Sequence, residues 1–162
     1  MIKNIEPLIG NELRERGWRL AVAESCTGGL IGHRITNISG SSTYYLGSIT
    51  AYAYRAKVRL LRVSWDTLEK FGAVSEETIR EMALGIRHAL AADIGLSVSG
   101  IAGPTGGTPE KPVGYTWIGI STPQGIWTLQ HNAGGNRIEN KEEVAQVALE
   151  FLYEFLKTNE TD

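Results

Sequence analysis

The chain of 162 residues is 42% hydrophobic, which suits one core of ordinary size, and it carries 16 Lys+Arg against 18 Asp+Glu. The resulting net charge of -2 supplies no broad basic field, which argues against an electrostatically driven nucleic-acid binder. A single cysteine, Cys26, excludes an internal disulfide framework and a cysteine-based metal cluster, and His33, His88 and His131 fall in no ligand spacing, so no metal site is expected.

Apolar Ile5, Leu8, Ile9 and Leu13 at helical spacing predict a helix over 4–16, closed by Gly17. WRLAVAES (18–25) reads as a strand, and Leu30, Ile31 and Ile35 place a helix after it. A Gly/Ser turn at 39–42 leads into a second strand, YYLGSITAYAY (44–54), followed by short helices over 57–63 and after Ser64. The clearest helix is 76–92, with Ser75 as N-cap, Gly95 past its end, and Ile79, Met82, Ala83, Ile86 and Leu90 in one stripe. GLSVSGIAG (95–103) is the third strand and runs into a Gly/Pro/Thr-rich loop. VGYTWIGIS and GIWTLQHNA flank Thr122-Pro123-Gln124-Gly125, an antiparallel hairpin signal. The last helix, about 139–157, sets Val144, Val147, Ala148, Phe151, Leu152 and Phe155 on one side. No repeat or linker interrupts this order, so one domain is expected over 1–162. Its fold class is α/β, a layered α/β/α sandwich with a mixed sheet that includes one antiparallel hairpin. The N-terminus lacks the apolar core of a signal peptide and no run of about 18 apolar residues occurs, so a soluble, cytoplasmic chain without membrane attachment is expected.

The 19 glycines cluster in polar segments that each follow a strand: Glu24 to Gly29, Ser99 to Gly114, and Gly134 to Arg137. Ligands of α/β sheets settle where such loops converge, beyond the carboxyl ends of the strands. The first segment also opens a helix, whose free N–H groups favour an anion or a developing oxyanion; a plain helix cap with closely packed glycines is the alternative. Ser25 is the candidate nucleophile, yet a serine hydroxyl is inert without a base, and no Asp/His pair stands at a recognisable triad spacing. Lys57, if desolvated and neutral, takes the hydroxyl proton, and the Tyr52 hydroxyl relays it. Five residues of continuous strand would set these two on opposite faces, so a turn must intervene. Cys26 reads as a small buried hydrophobe rather than a rival nucleophile, and Glu24 as a residue that orients its neighbours. Gly100, Gly103, Gly106 and Gly107 expose backbone donors beside the hydroxyls of Thr105 and Thr108, the composition of a loop that cradles phosphate or carboxylate. It is not a Walker A loop. Glu110 and Lys111 read as an exposed ion pair, and Arg137, with its planar fork, as a phosphate partner.

These segments together resemble the CinA C-terminal domain family of nicotinamide-nucleotide amidases. The resemblance rests on AESCTGGL at 23–30, IT…SGSSTYYLGS between 35 and 48, Tyr52 to Lys57 against the family's Tyr-Ser-Asn-Glu-Ala-Lys, GAVSEET at 72–78, the Ala92-Asp93 pair, SGIAGPTGGTPEKPVG at 99–114, and Arg137. It spans nearly the whole chain in order. It implies hydrolysis of the carboxamide of nicotinamide mononucleotide to nicotinic acid mononucleotide and ammonia, with no metal or other cofactor. Carried over, Ser25 is the nucleophile, Lys57 its base and Tyr52 a relay or orienting hydroxyl. Substrate contacts would come from Thr27, Gly28, Gly29, Ser42, Gly100, Ala102, Gly103, Thr105, Gly106 and Arg137, with the oxyanion on N–H groups near 27–29 or in the 99–107 loop. Four tryptophans (Trp18, Trp65, Trp117, Trp127) and the resemblance suggest a homo-oligomer. Departures from the family pattern are Ala53-Tyr54-Arg55-Ala56 beside the base, Ser48 for a glycine, Asn136 for an aspartate and Lys141 for an arginine. The like charge of Arg55 would help keep Lys57 neutral, or else the change there signals altered activity. The rival readings are a catalytically weak pyridine-nucleotide-binding module and an adaptor in DNA uptake or damage response.

Overall fold

The structure is a computed structural model that describes residues 1–159. Its elements run α1 (Ile5–Arg16), β1 (Leu20–Glu24), α2 (Leu30–Thr36), a 3-10 turn (Ser41–Thr43), β2 (Tyr45–Thr50), α3 (Tyr54–Leu61), α4 (Trp65–Phe71), α5 (Glu76–Ala89), β3 (Ile94–Gly100), β4 (Tyr115–Thr122), β5 (Gly125–Asn132) and α6 (Arg137–Thr158). One five-stranded sheet in the order β2-β1-β3-β4-β5 joins them. β1 is parallel to both β2 and β3, while β3, β4 and β5 are successively antiparallel. The α/β fold with a mixed sheet and a terminal hairpin is therefore as the residue pattern implies.

Alternation along β1 assigns its two faces. Leu20 and Val22 join Ile5, Ile9 and Leu13 of α1, Ile31 of α2 and Val144, Ala148 and Leu152 of α6 in one core. Ala21 and Ala23 face the other way, against Leu61 of α3, Leu68 of α4 and Ile79, Met82 and Ile86 of α5. Burying an aliphatic side chain of this size stabilises by about 1.5–3 kcal/mol before chain entropy is counted. Gly95 and Gly119 let α5 lie close on its face: a Cβ at Gly119 would stand 3.0 Å from the Ile79 carbonyl oxygen, and one at Gly95 would meet that of Ala83.

The chain leaves β1 through α2 to β2 on one side and returns through α3–α5 to β3 on the other. Its connections thus diverge between β1 and β3, and a crevice opens there at the carboxyl ends. β5 runs parallel to β1 and β3, so the loops after β1, β3 and β5 all emerge on that edge.

Several boundaries differ from the sequence reading. β2 stops at Thr50 because its partner β1 ends there, with Glu24 opposite Thr50, and Ala51 N closes the pairing on Glu24 O at 2.8 Å. Residues 51–53 then turn and α3 starts at Tyr54, ahead of the expected 57. α5 ends at Ala89, where Leu90 and the left-handed Ala91 (φ 49°) reverse the chain; Gly95 lies inside β3 rather than capping the helix. Ser75 does cap α5 by accepting from Thr78 N. α6 begins at Arg137, two residues early, behind an Asn136 capping box closed by Glu139. Trp18 and Trp127 pack on the first core and Trp117 on the second, so three of the four indoles that suggested assembly are engaged within the chain. Among the described residues no helix is long and apolar enough to cross a membrane.

Candidate active site

Successive strand residues point to opposite faces, so Glu24 turns toward α2 while Ser25, one step on, continues the α5-facing row. The Ser25 hydroxyl there meets Lys57, which α3 carries on its buried face with Leu61. Lys57 is fully buried. Its Nζ lies 2.8 Å from Ser25 Oγ, 2.7 Å from Ala51 O and 3.0 Å from Tyr52 O. The turn between β2 and α3 therefore supplies two carbonyls to the amine that α3 returns over Ser25.

Burial pushes the Lys57 amine down from 10.5 to about 8. Arg55 has no part in that shift: it is exposed on the outer side of α3, so the expected assistance from its charge is corrected to desolvation. Tyr54, the other departure beside the base, takes the Ala73 N–H on its hydroxyl at 3.3 Å and packs tilted on Trp65. Cys26 lines the same pocket, but burial pushes its thiol up to about 12, so it stays protonated and is no rival nucleophile at neutral pH.

Ser25 and Lys57 form the floor of a pocket of about 300 Å³ whose walls are Ala73, Val74, Ser99 and the 100–106 loop, with Tyr52 and Arg137 at its mouth. Gly100, Ala102, Gly103, Thr105 and Gly106 all line it. Arg137, in the first turn of α6, donates to Gly103 O at 2.6 Å and to the Tyr52 hydroxyl at 3.1 Å. The Tyr52 hydroxyl is thus engaged at the rim, and it is the Tyr52 carbonyl that reaches Lys57. Among the described residues no carboxylate pairs with Arg137, so its charge is available to an anionic ligand.

Four of the expected substrate contacts fall outside this pocket. Thr27, Gly28 and Gly29 line a neighbouring cleft with His33 and Lys141, on the α6 side. Gly29 N donates to Glu24 at 3.1 Å and Gly28 N to Ser25 O at 3.1 Å, so two of the expected oxyanion donors are already taken. Ser42 sits in the 3-10 turn before β2, at the opposite end of the sheet from Ser25, because β2 runs parallel to β1. Lys111 does not pair with Glu110; its Nζ donates to Phe71 O at 2.7 Å and ties the long loop to α4. Asn136, where the family has aspartate, caps α6 through its side-chain oxygen, which either residue supplies.

Sequence reasoning missed Asn140. Fully buried, it donates to Ala102 O at 3.0 Å and accepts from Gly135 N at 2.8 Å, clamping the loops after β3 and β5 together. The Ser99 hydroxyl fixes the wall by donating to Ala73 O at 2.7 Å. A polar residue at a core position of the helical stripe was the available signal for Asn140.

The family model of the CinA C-terminal domain matches residues 2–156. The chain belongs to that family. A putative competence-damage inducible protein of Halothermothrix orenii is 51% identical over 92% of this chain, which spans only 36% of that relative's length. A protein of Enterobacter agglomerans named nicotinamide-nucleotide amidohydrolase PncC is 47% identical over 92% of each chain. Among solved structures, a CinA superfamily protein of Klebsiella pneumoniae superposes with a TM-score of 0.91 at 31% identity, covering 97% of this chain and 100% of its own. The competence/damage inducible protein CihA of Agrobacterium tumefaciens gives a TM-score of 0.89 at 35% identity over 97% and 98%. The CinA-type fold thus recurs at full length in these proteins.

Proposed function

We propose that this chain is an amidase that hydrolyses the carboxamide of nicotinamide mononucleotide to nicotinic acid mononucleotide and ammonia. The observation that carries the proposal is the environment of Lys57 Nζ: one serine hydroxyl and two carbonyl oxygens inside a dry site. Carbonyls only accept. A neutral amine donates its two N–H groups to Ala51 and Tyr52, which leaves its lone pair directed at the Ser25 hydroxyl. The same contacts that hold the amine therefore aim it as a base.

Ser25 Oγ attacks the amide carbon as its proton passes to Lys57 Nζ. The tetrahedral intermediate collapses when Lys57 returns that proton to the departing nitrogen, releasing ammonia and leaving a nicotinoyl ester on Ser25. Water enters, gives a proton to Lys57 and attacks the ester; the proton then restores the Ser25 hydroxyl as the acid leaves. Arg137 and the glycine-rich 100–106 loop supply the charge and the N–H groups for the phosphate at the mouth. Tyr52 contributes its carbonyl to the base and its ring to the rim, in place of the hydroxyl relay suggested by the resemblance. The name of the Enterobacter agglomerans relative supports this substrate.

Ammonia release from nicotinamide mononucleotide, compared among wild type, Ser25→Ala, Lys57→Ala and Cys26→Ala, tests the proposal. Turnover that disappears without Ser25 or Lys57 and survives without the Cys26 thiol is expected. Nucleotide binding with no turnover in the wild type would sink it.

A further inference from the structure

Glu24 has no place in the steps above, although it is a fully buried carboxylate immediately before the nucleophile. Among the described residues it forms no ion pair. Its Oε2 accepts from Thr27 Oγ1 at 2.5 Å, from Gly29 N at 3.1 Å and from Ile31 N at 3.1 Å, and its Oε1 accepts from Gly32 N at 2.9 Å. Four donors converge on one carboxylate, which is about what its lone pairs accommodate. Three of them are the amides at the start of α2 that would otherwise attract a ligand. Gly28 N and Leu30 N turn back onto Ser25 O and Thr27 O. Among the described residues, the Cys26 and Thr27 N–H groups are left with no acceptor oxygen. Both lie against the Cys26 sulfur, and Cys26 lines the pocket beside Ser25.

Building on the amidase reading, we infer that Glu24 is the positioning residue of this site: it occupies the donors of α2 and holds the 25–29 turn so that Ser25 stays on Lys57 while the Cys26 amide, in the residue that lines the pocket beside Ser25, receives the oxygen that becomes negative on attack. Backbone donors fixed in advance are effective there because nothing has to reorganise as charge develops. Substituting glutamine sets an NH2 group against sites that meet only donors, which twists the turn without removing side-chain volume.

The experiment is steady-state turnover of Glu24→Gln, Thr27→Val and Thr27→Ser, with the rate of Ser25 labelling by a small phosphonofluoridate as a readout that needs no nucleotide. For Glu24→Gln, kcat falls on the order of 100-fold and labelling slows with it, while KM stays within about three-fold. The midpoint of its pH profile stays where it is in the wild type, because Lys57 is untouched. Thr27→Val shows a smaller loss and Thr27→Ser restores it. Wild-type kcat and labelling in a folded Glu24→Gln overturn the assignment. So does a moved pH midpoint, which places Glu24 on the base, or a loss that merely tracks the folded fraction seen by circular dichroism. Should Glu24→Gln not fold, the Thr27 pair decides in the same way. A wild type that labels at Ser25 but releases no ammonia removes the substrate and leaves this assignment to the labelling rates; one that does neither overturns both.

Discussion

At the floor of the pocket Ser25 is 7% and Lys57 0% exposed, whereas at its mouth Tyr52 is 61% exposed and Arg137 is open to solvent. The two regions hold their cations on different terms. Below, burial lowers the cost of the neutral amine relative to the charged one, and two carbonyls leave it a single orientation. Above, Arg137 lies open to water and, among the described residues, meets a carbonyl and a hydroxyl, partners that an anionic ligand can replace. Chemistry is assigned to the dry, over-determined region, and recognition to the wet one. A neutral base and a charged anchor need opposite surroundings, so they belong at opposite ends of one pocket.

The largest effect comes from breaking the floor. Ser25→Ala or Lys57→Ala lowers kcat by on the order of 10³ or more, read as ammonia release, since each removes half of a unit that acts together. Lys57→Met separates catalysis from stability. The folded-state pKa of Lys57 lies below its ordinary 10.5, so its burial is free of penalty above about 10.5, costs progressively more as pH falls to about 8, and is constant below that. The full penalty is about 3 kcal/mol, offset in part by the hydrogen bonds that methionine lacks. The inactive Lys57→Met is therefore more stable than wild type in urea at pH 7, with the margin shrinking toward pH 10. A margin that does not change with pH contradicts the lowering of the Lys57 pKa by burial. In the active enzyme, turnover rises with pH through about 8.

At the rim, Arg137→Ala raises KM by roughly 10- to 100-fold, the worth of a charge-assisted pair, with kcat nearly kept. A fall in kcat at constant KM would move Arg137 from recognition to chemistry. Asn140→Ala leaves Ala102 O and Gly135 N without their shared partner and costs about 1–3 kcal/mol in a thermal melt, with a rise in KM as the two loops loosen. Tyr52→Phe is the mildest, a few-fold in KM, because among the described residues the exposed hydroxyl bonds Arg137 alone and the carbonyl on Lys57 is retained. A loss as deep as that of Lys57→Ala would restore the hydroxyl relay and erase the distinction between floor and rim.

Much of the site was legible because its signals are local. Glycine clusters after three strands, a serine at a strand end and a lysine five residues past Tyr52 are all patterns in one dimension, and the crevice at the carboxyl edge follows from the order of strands and helices. The errors have a common cause. Ser42 stands in the same segment as the strand that supports the site, but parallel pairing sends its turn to the far end of the sheet. Arg55 is two residues from Lys57, but two helical positions face different ways, and the burial of Lys57 by α3 and its neighbours outweighs a solvated charge. Gly28 and Gly29 do lead into a helix, yet Ser25 O takes the Gly28 N–H and Glu24 takes those of Gly29, Ile31 and Gly32.

By itself the sequence determined the α/β class, the hairpin and the residues from which a serine–lysine pair can be made. Hydrophobic period and turn chemistry act between near neighbours, and near neighbours are what a sequence displays. Only the tertiary structure decided that Lys57 is dry, that Ala51 and Tyr52 aim it at Ser25, that Asn140 ties two loops and that Glu24 takes the helix donors. Those facts depend on solvent exclusion and on hydrogen bonds between segments from 3 to 38 residues apart, which exist only once the sheet has brought the ends of its strands to one edge.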